Sequence, residues 1–297
     1  MKKPSCRPPC AGRSTGEEER RDVAHKRFYQ LGPAAYAIST AKCRAVRRLS
    51  DTVRGGRFAA DRSPEPLPVV IYRHNSLIRR RLGQVDMQLQ ENKAVNLALA
   101  APRVSGILIR PGETFSFWRL VGNPTARRGY REGLTIGGGE ARRGVGGGMC
   151  QFTNLLHWMV LHTPLEIVEH HHHDGYDLFP DFNRQIPFGT GTSIFYNYLD
   201  YRFRNSTDRT YQILVHITDR HLCGELRADA PQPLKYHICA AGEGFVREDG
   251  AVWRVGQVWR TALDPATGAA EERLLLRENH ARVMYDTAGL EIGTERA

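Results

Sequence analysis

The sequence has no run of about 20 apolar residues, the length a helix needs to cross a bilayer. Its longest apolar stretches, such as Leu97 to Pro102 and Leu155 to Leu161, fall well short. No apolar segment follows the positive charges of the N-terminal MKKPSCRPPC, so no secretory signal is read there and the chain is expected to stay in the cytoplasm. Cysteine is sparse and scattered, at positions 6, 10, 43, 150, 223 and 239. Without a signal, reduced thiols are expected rather than disulfides. Cys6 and Cys10 have no second close pair to complete a zinc site of the usual spacing. No Lys-Ser or Lys-Thr follows the last glycine of the Gly146–Gly148 run, so the pattern is not a phosphate loop. The sequence shows no internal repeat, calls for no cofactor and leaves the oligomeric state open.

What is present fits a soluble globular protein. The 297 residues are 41% apolar and 25% charged, enough for one large domain or two ordinary ones. The net charge is +10, and much of it lies early, from Arg20 and Arg21 through Arg79, Arg80 and Arg81. Solvated helix faces explain such charge. The sharper alternative is attraction to an anion, namely nucleic acid, anionic lipid or an acidic wall polymer. No nucleic-acid module accompanies the charge, so nucleic acid is not the expected partner.

The expected fold class is α+β: a mixed or antiparallel sheet packed against a central helix starting near Cys150, with N-terminal helices and a strand-rich C-terminal segment. Residues 1–20 read as a disordered tail and 21–65 as a helical region and linker, broken at Gly32-Pro33. Residues 66–218 read as the core and 219–297 as the strand-rich end. Within the core, a helix is predicted over Leu82 to Ala100 and ended by Pro102, with strands over Gly106 to Arg110, Leu165 to His171 and Thr192 to Arg204. The Gly- and Arg-rich stretch from Gly122 to Gly148 reads as a loop.

Two motifs could carry chemistry. The first is Gly146-Gly147-Gly148-Met149-Cys150-Gln151. Three glycines let the backbone turn tightly and approach a partner closely. A helix starting at Cys150 would place its thiol at the positive end of the helix dipole, which favours a thiolate or a bound anion. The bland alternative is a small buried cysteine beside a structural turn. The second motif is Glu169-His170-His171-His172-His173-Asp174. On a strand, Glu169, His171 and His173 would share a face. With Cys150 as nucleophile, His173 or His171 as base and Asn197 as the orienting group, the set suits a Cys–His hydrolase or acyltransferase. Asn197 is the lone polar member of the face Phe195, Leu199, Tyr201, Phe203. His157 lies roughly 10 Å along the helix from Cys150 and is a poor partner. A metal held by His171 and His173, with Cys150 or Asp177, is a third reading. The spacing of Glu113 and Asp200 says nothing of acid–base work.

Arg110-Pro-Gly-Glu-Thr-Phe-Ser-Phe-Trp118, Gly129-Tyr130, the glycine–cysteine motif, Ile167-Val-Glu-His170, Asp181 to Phe188 and Tyr196 to Asp200 together resemble the VanW family, in its short soluble form. The likeness runs from about Gln84 to Asn205. It implies an association with the cell envelope or with glycopeptide resistance, and assigns no reaction. Where the family pattern has an arginine after the glutamate, this chain has His170, which would substitute only when protonated. Two functions follow as expectations. One is a thiol enzyme acting on a cell-wall-related peptide or amide. The other is a non-catalytic module that binds an anionic or peptide cell-wall precursor through Gly146, Gly147, Gly148, Gln151 and Glu169.

Overall fold

The computed structural model describes residues 32–53, 55–80, 86–137, 140–172, 175–180 and 186–293. The chain divides into two compact units, residues 1–50 and 51–297. The first carries most of helix α1 (Pro33–Val53), which starts at the predicted Gly32-Pro33 break. The expected tail and first helical piece lie outside the described residues.

The second unit is α+β. Strands β1 (Val69–Leu77) and β2 (Ile107–Ile109) flank helix α2 (Met87–Val104) in sequence. Strand β3 (Thr114–Ser116) leads into the short helix α3 (Phe117–Val121). A hairpin of β4 (Glu132–Gly137) and β5 (Glu140–Val145) precedes helix α4 (Cys150–Val160). Strands β6 (Glu166–Glu169), β7 (Tyr176–Asp177), β8 (Arg202–Arg204), β9 (Tyr211–Ile217) and β10 (His221–Ala228) follow. The C-terminal part is β11 (Lys235–Glu248), β12 (Ala251–Leu263), β13 (Ala270–Val283) and β14 (Ile292–Gly293).

An antiparallel sheet of order β1-β10-β9-β2 and a small sheet β3-β8-β6 enclose the main core. Phe115, Phe152, Leu156, Phe203 and Tyr211 are buried there. Helix α4 packs on β1 and β10, and α2 packs on β9 and β4. The face predicted for α4, Phe152, Leu155, Leu156 and Met159, is the one buried in this core. The long strands β11, β12 and β13 form an antiparallel meander with β14 and β7 added in parallel at its edges.

Three elements differ from the expectation. Helix α2 starts at an Asp86 cap, whose side chain accepts from Gln88 N at 2.9 Å, and it continues past Pro102 to Val104. A proline near a helix end removes one backbone bond, and the fully buried Val104 holds the last turn in place. Gly122 to Gly148 is not all loop, because β4 and β5 pair across it. Thr192 to Arg204 is not a continuous strand. Residues Phe195 to Leu199 close a tight turn, in which Asn197 has φ +48°, and only Arg202–Arg204 is strand. Asparagine tolerates that left-handed conformation, which is why a polar residue interrupts the apolar spacing there.

Candidate functional site

The glycine turn is held by its own protein. Gly146 N donates to Arg131 O at 2.9 Å, Gly147 N to Gly144 O at 3.0 Å and Gly148 N to Leu134 O at 2.8 Å. These three amides are therefore engaged, and the close approach the glycines allow is to the chain itself. A Cβ on Gly147 would stand 2.2 Å from the backbone carbon of Gly133. The fully buried Asn96 of α2 fixes the turn by donating to Gly147 O at 2.9 Å and to Arg131 O at 3.0 Å, while its oxygen accepts from Arg131 N.

Cys150 is the first residue of α4, as predicted. Burial pushes its thiol up, against the backbone N–H groups of Ile194 and of Cys150 itself, which point at the sulfur and pull it down. Desolvation thus outweighs those two N–H groups. Among the described residues no imidazole hydrogen-bonds to this sulfur. Thr192 closes over the helix start. Its hydroxyl pairs with Thr153, and its N–H and hydroxyl donate to Asn154 Oδ1 at 2.6 and 2.8 Å. Asn197 sits in its own turn rather than on a strand face beside a histidine.

The histidine run separates to two sides, and His173 lies outside the described residues. His171 Nε2 is 3.0 Å from Glu169 Oε1, although β6 ends at Glu169 and His171 lies beyond the strand predicted to carry it. His170 turns the other way, stacking 4.0 Å from His157 and 4.0 Å from His172, with Nε2 3.1 Å from Gly191 O. His157 is buried and Nδ1 meets Tyr201 OH at 3.2 Å. Burial, then His170 and His172, hold it well below the usual imidazole range, so it is neutral. Among the described residues no group of three His, Cys, Asp or Glu side chains is placed to hold a metal ion. Asp177 accepts from Tyr285 OH at 3.0 Å instead.

A cation beside Glu169 is Arg202, at 3.5 Å. Around it lies a buried polar hub that the spacing of Asp200 did not reveal. Asp200 Oδ2 accepts from Arg202 Nε at 2.7 Å and from Ser116 Oγ at 2.5 Å, and Oδ1 accepts from Trp118 N and Tyr201 N. Glu169 Oε1 accepts from Asp200 N at 2.9 Å, and Arg202 also grips Asp51 with two bonds. Burial pushes the Asp200 carboxyl up, opposed chiefly by Arg202 and Ser116. With all these donors aimed at Asp200 and Glu169, the hub is a structural clamp joining β6, β8 and α3. Glu113 is likewise structural, accepting from Arg110 N at 2.8 Å.

Sequence reasoning missed the cluster beside the glycine turn. Gln90, Lys93 and Asn96 line the buried face of α2. The stem of Lys93 crosses Gly148, and its Nζ donates to Gln90 Oε1 at 2.7 Å. Lys93 has no carboxylate partner among the described residues. Burial, then Arg80 and Arg79, depress its amine to about 7. Gln151 Nε2 donates to Ser76 Oγ at 2.9 Å and Leu77 O at 2.8 Å, while its Oε1 is buried with no partner among the described residues. The available signal was three polar residues at helical spacing, 90, 93 and 96, on the face that also carries Leu89, Leu97 and Ala100.

A family model described as VanW like protein matches residues 92–227. Over 228 residues the chain is 36% identical to the vancomycin B-type resistance protein VanW of Enterococcus faecalis, an alignment covering 77% of this chain and 82% of that protein. It is 31% identical over 118 residues to the uncharacterized protein YoaR of Bacillus subtilis, 39% of this chain and 36% of that one. No solved structure matches.

Proposed function

The chain belongs to the VanW family, and from that premise we propose that it is a binding module for an anionic or peptide cell-wall precursor, with a link to glycopeptide resistance. The observation that carries this reading is Lys93, a buried amine beside the glycine turn that donates to Gln90 and has no carboxylate partner among the described residues. Burial without a counter-ion disfavours the charged amine, and a negative partner would restore it. The ligand would meet side chains around the turn, since the glycine amides are already bonded.

The thiol-enzyme reading keeps one supporting feature, a cysteine that opens a helix. Burial of its sulfur favours the thiol over the nucleophilic thiolate. The two readings part on one experiment. Soluble peptidoglycan fragments are titrated against the wild type, Cys150→Ser and Lys93→Met by calorimetry, at low and high salt. Binding that survives in Cys150→Ser, weakens at least tenfold in Lys93→Met and falls with salt supports the module. Fragment cleavage that vanishes in Cys150→Ser, or no binding by the wild type, defeats it.

A further inference from the structure

Gln90, Lys93, Gln151 and the backbone of Arg80 lie along the chain from the end of β1 to the glycine turn. Lys93 Nζ and the backbone N–H of Arg80 both donate to Gln90 Oε1, at 2.7 and 3.4 Å. Arg80 is half-buried, and its guanidinium has no carboxylate partner among the described residues. Its neighbour Arg79 is satisfied, with two bonds to Glu91 and one to Asp219 O. Gln151 hangs from Ser76 and Leu77, three residues before Arg80, and its backbone N–H donates to Gly148 O at 3.1 Å. Gly148 is the same residue that the Lys93 stem covers.

The chemistry of this cluster is two-sided. Arg80 carries a positive charge and Lys93 an amine that a nearby anion would hold protonated, and neither has a carboxylate partner among the described residues. Gln151 Oε1 supplies a buried acceptor without a donor among the described residues, a state that costs roughly 1–3 kcal/mol when left unfilled. A bare anion would satisfy the cations only. A group that carries a carboxylate next to an N–H would satisfy both. We propose that this cluster is a subsite for the free carboxyl terminus of a peptide: the carboxylate lies between Lys93 and Arg80, and the last peptide N–H donates to Gln151 Oε1. This rests on the binding-module reading and narrows its ligand class.

The test uses the full chain and a mixed set of N-acetylated dipeptides with free carboxyl termini. The controls are the same dipeptides amidated, the same with an N-methylated last peptide bond, and inorganic phosphate. Saturation-transfer NMR identifies the binders and calorimetry gives their affinities. Free-carboxyl dipeptides are expected to bind, and amidation or N-methylation to weaken them at least tenfold. Lys93→Met and the less buried Arg80→Gln are each expected to lose at least tenfold, with melting curves checking that both remain folded. Equal binding of free and amidated forms, no dipeptide binding, or binding of phosphate alone overturns the proposal. If peptidoglycan fragments bind while amidation changes nothing, the module stands and the subsite falls. If dipeptides bind through their carboxylates while peptidoglycan fragments do not, the subsite stands and the wall-precursor reading falls.

Discussion

The stem of Lys93 lies so close to Gly148 that a Cβ placed on the glycine would stand 2.3 Å from Lys93 Cγ. Gly148 also has φ +88°, a conformation that side chains with a Cβ rarely adopt. Strain and overlap therefore act together, and Gly148→Ala is expected to cost about 2–4 kcal/mol. Gly147→Ala should cost as much for a different reason, since its neighbour is the backbone of Gly133, which cannot rotate away. Denaturant unfolding of the two variants measures this. A loss below about 0.5 kcal/mol in both would mean that the turn is not packed as described.

Lys93 ties stability to pH. The folded chain releases this proton near pH 7, the unfolded chain near 10.5. Between those values the unfolded chain binds more protons, so this residue's contribution to stability rises with pH, and its burial costs most below pH 7. Lys93→Met is expected to be the more stable protein at pH 6, by an amount on the order of 2–4 kcal/mol. The gap between variant and wild type should narrow toward pH 10. A variant less stable than wild type at pH 6 contradicts an unpaired buried ammonium.

The histidines around α4 work in the acid range. Burial lowers His157 strongly, takes His162 to about 4 and lowers His74. Below pH 6.5 the unfolded chain takes up protons that the folded chain refuses, so stability falls as the pH drops. His157, the most deeply buried of the three, is expected to contribute to this loss as the pH falls below 6.5. In His162→Phe the aromatic ring preserves the stack on Tyr72, whose centroid is 3.6 Å away, and part of the pH slope should disappear. Melting curves at pH 7, 6 and 5 give the slopes, and parallel slopes for variant and wild type would remove His162 from the account.

Much of the local structure was legible. The apolar spacing at Phe152, Leu155, Leu156 and Met159 marks α4, and the glycines before Cys150 mark its start. Glu169 and His171 do meet, but beyond the end of β6 rather than by strand alternation. Asn197 misled because a left-handed turn residue and a lone polar residue on a strand face look alike in one dimension. The Gly122 to Gly148 stretch misled because glycine and arginine carry little strand signal, while β4 and β5 hold each other by backbone bonds.

Sequence alone determined the family, the α+β class and the position of the helix that Cys150 opens, because these depend on local spacing and on motif order. Tertiary structure alone decided that Lys93 is buried without a carboxylate partner among the described residues, that Asp200 and Arg202 clamp Glu169, and that burial pushes the Cys150 thiol up. Each depends on what residues distant in sequence do to the local solvent and field, and a charge's energy is set by those surroundings rather than by its neighbours along the chain.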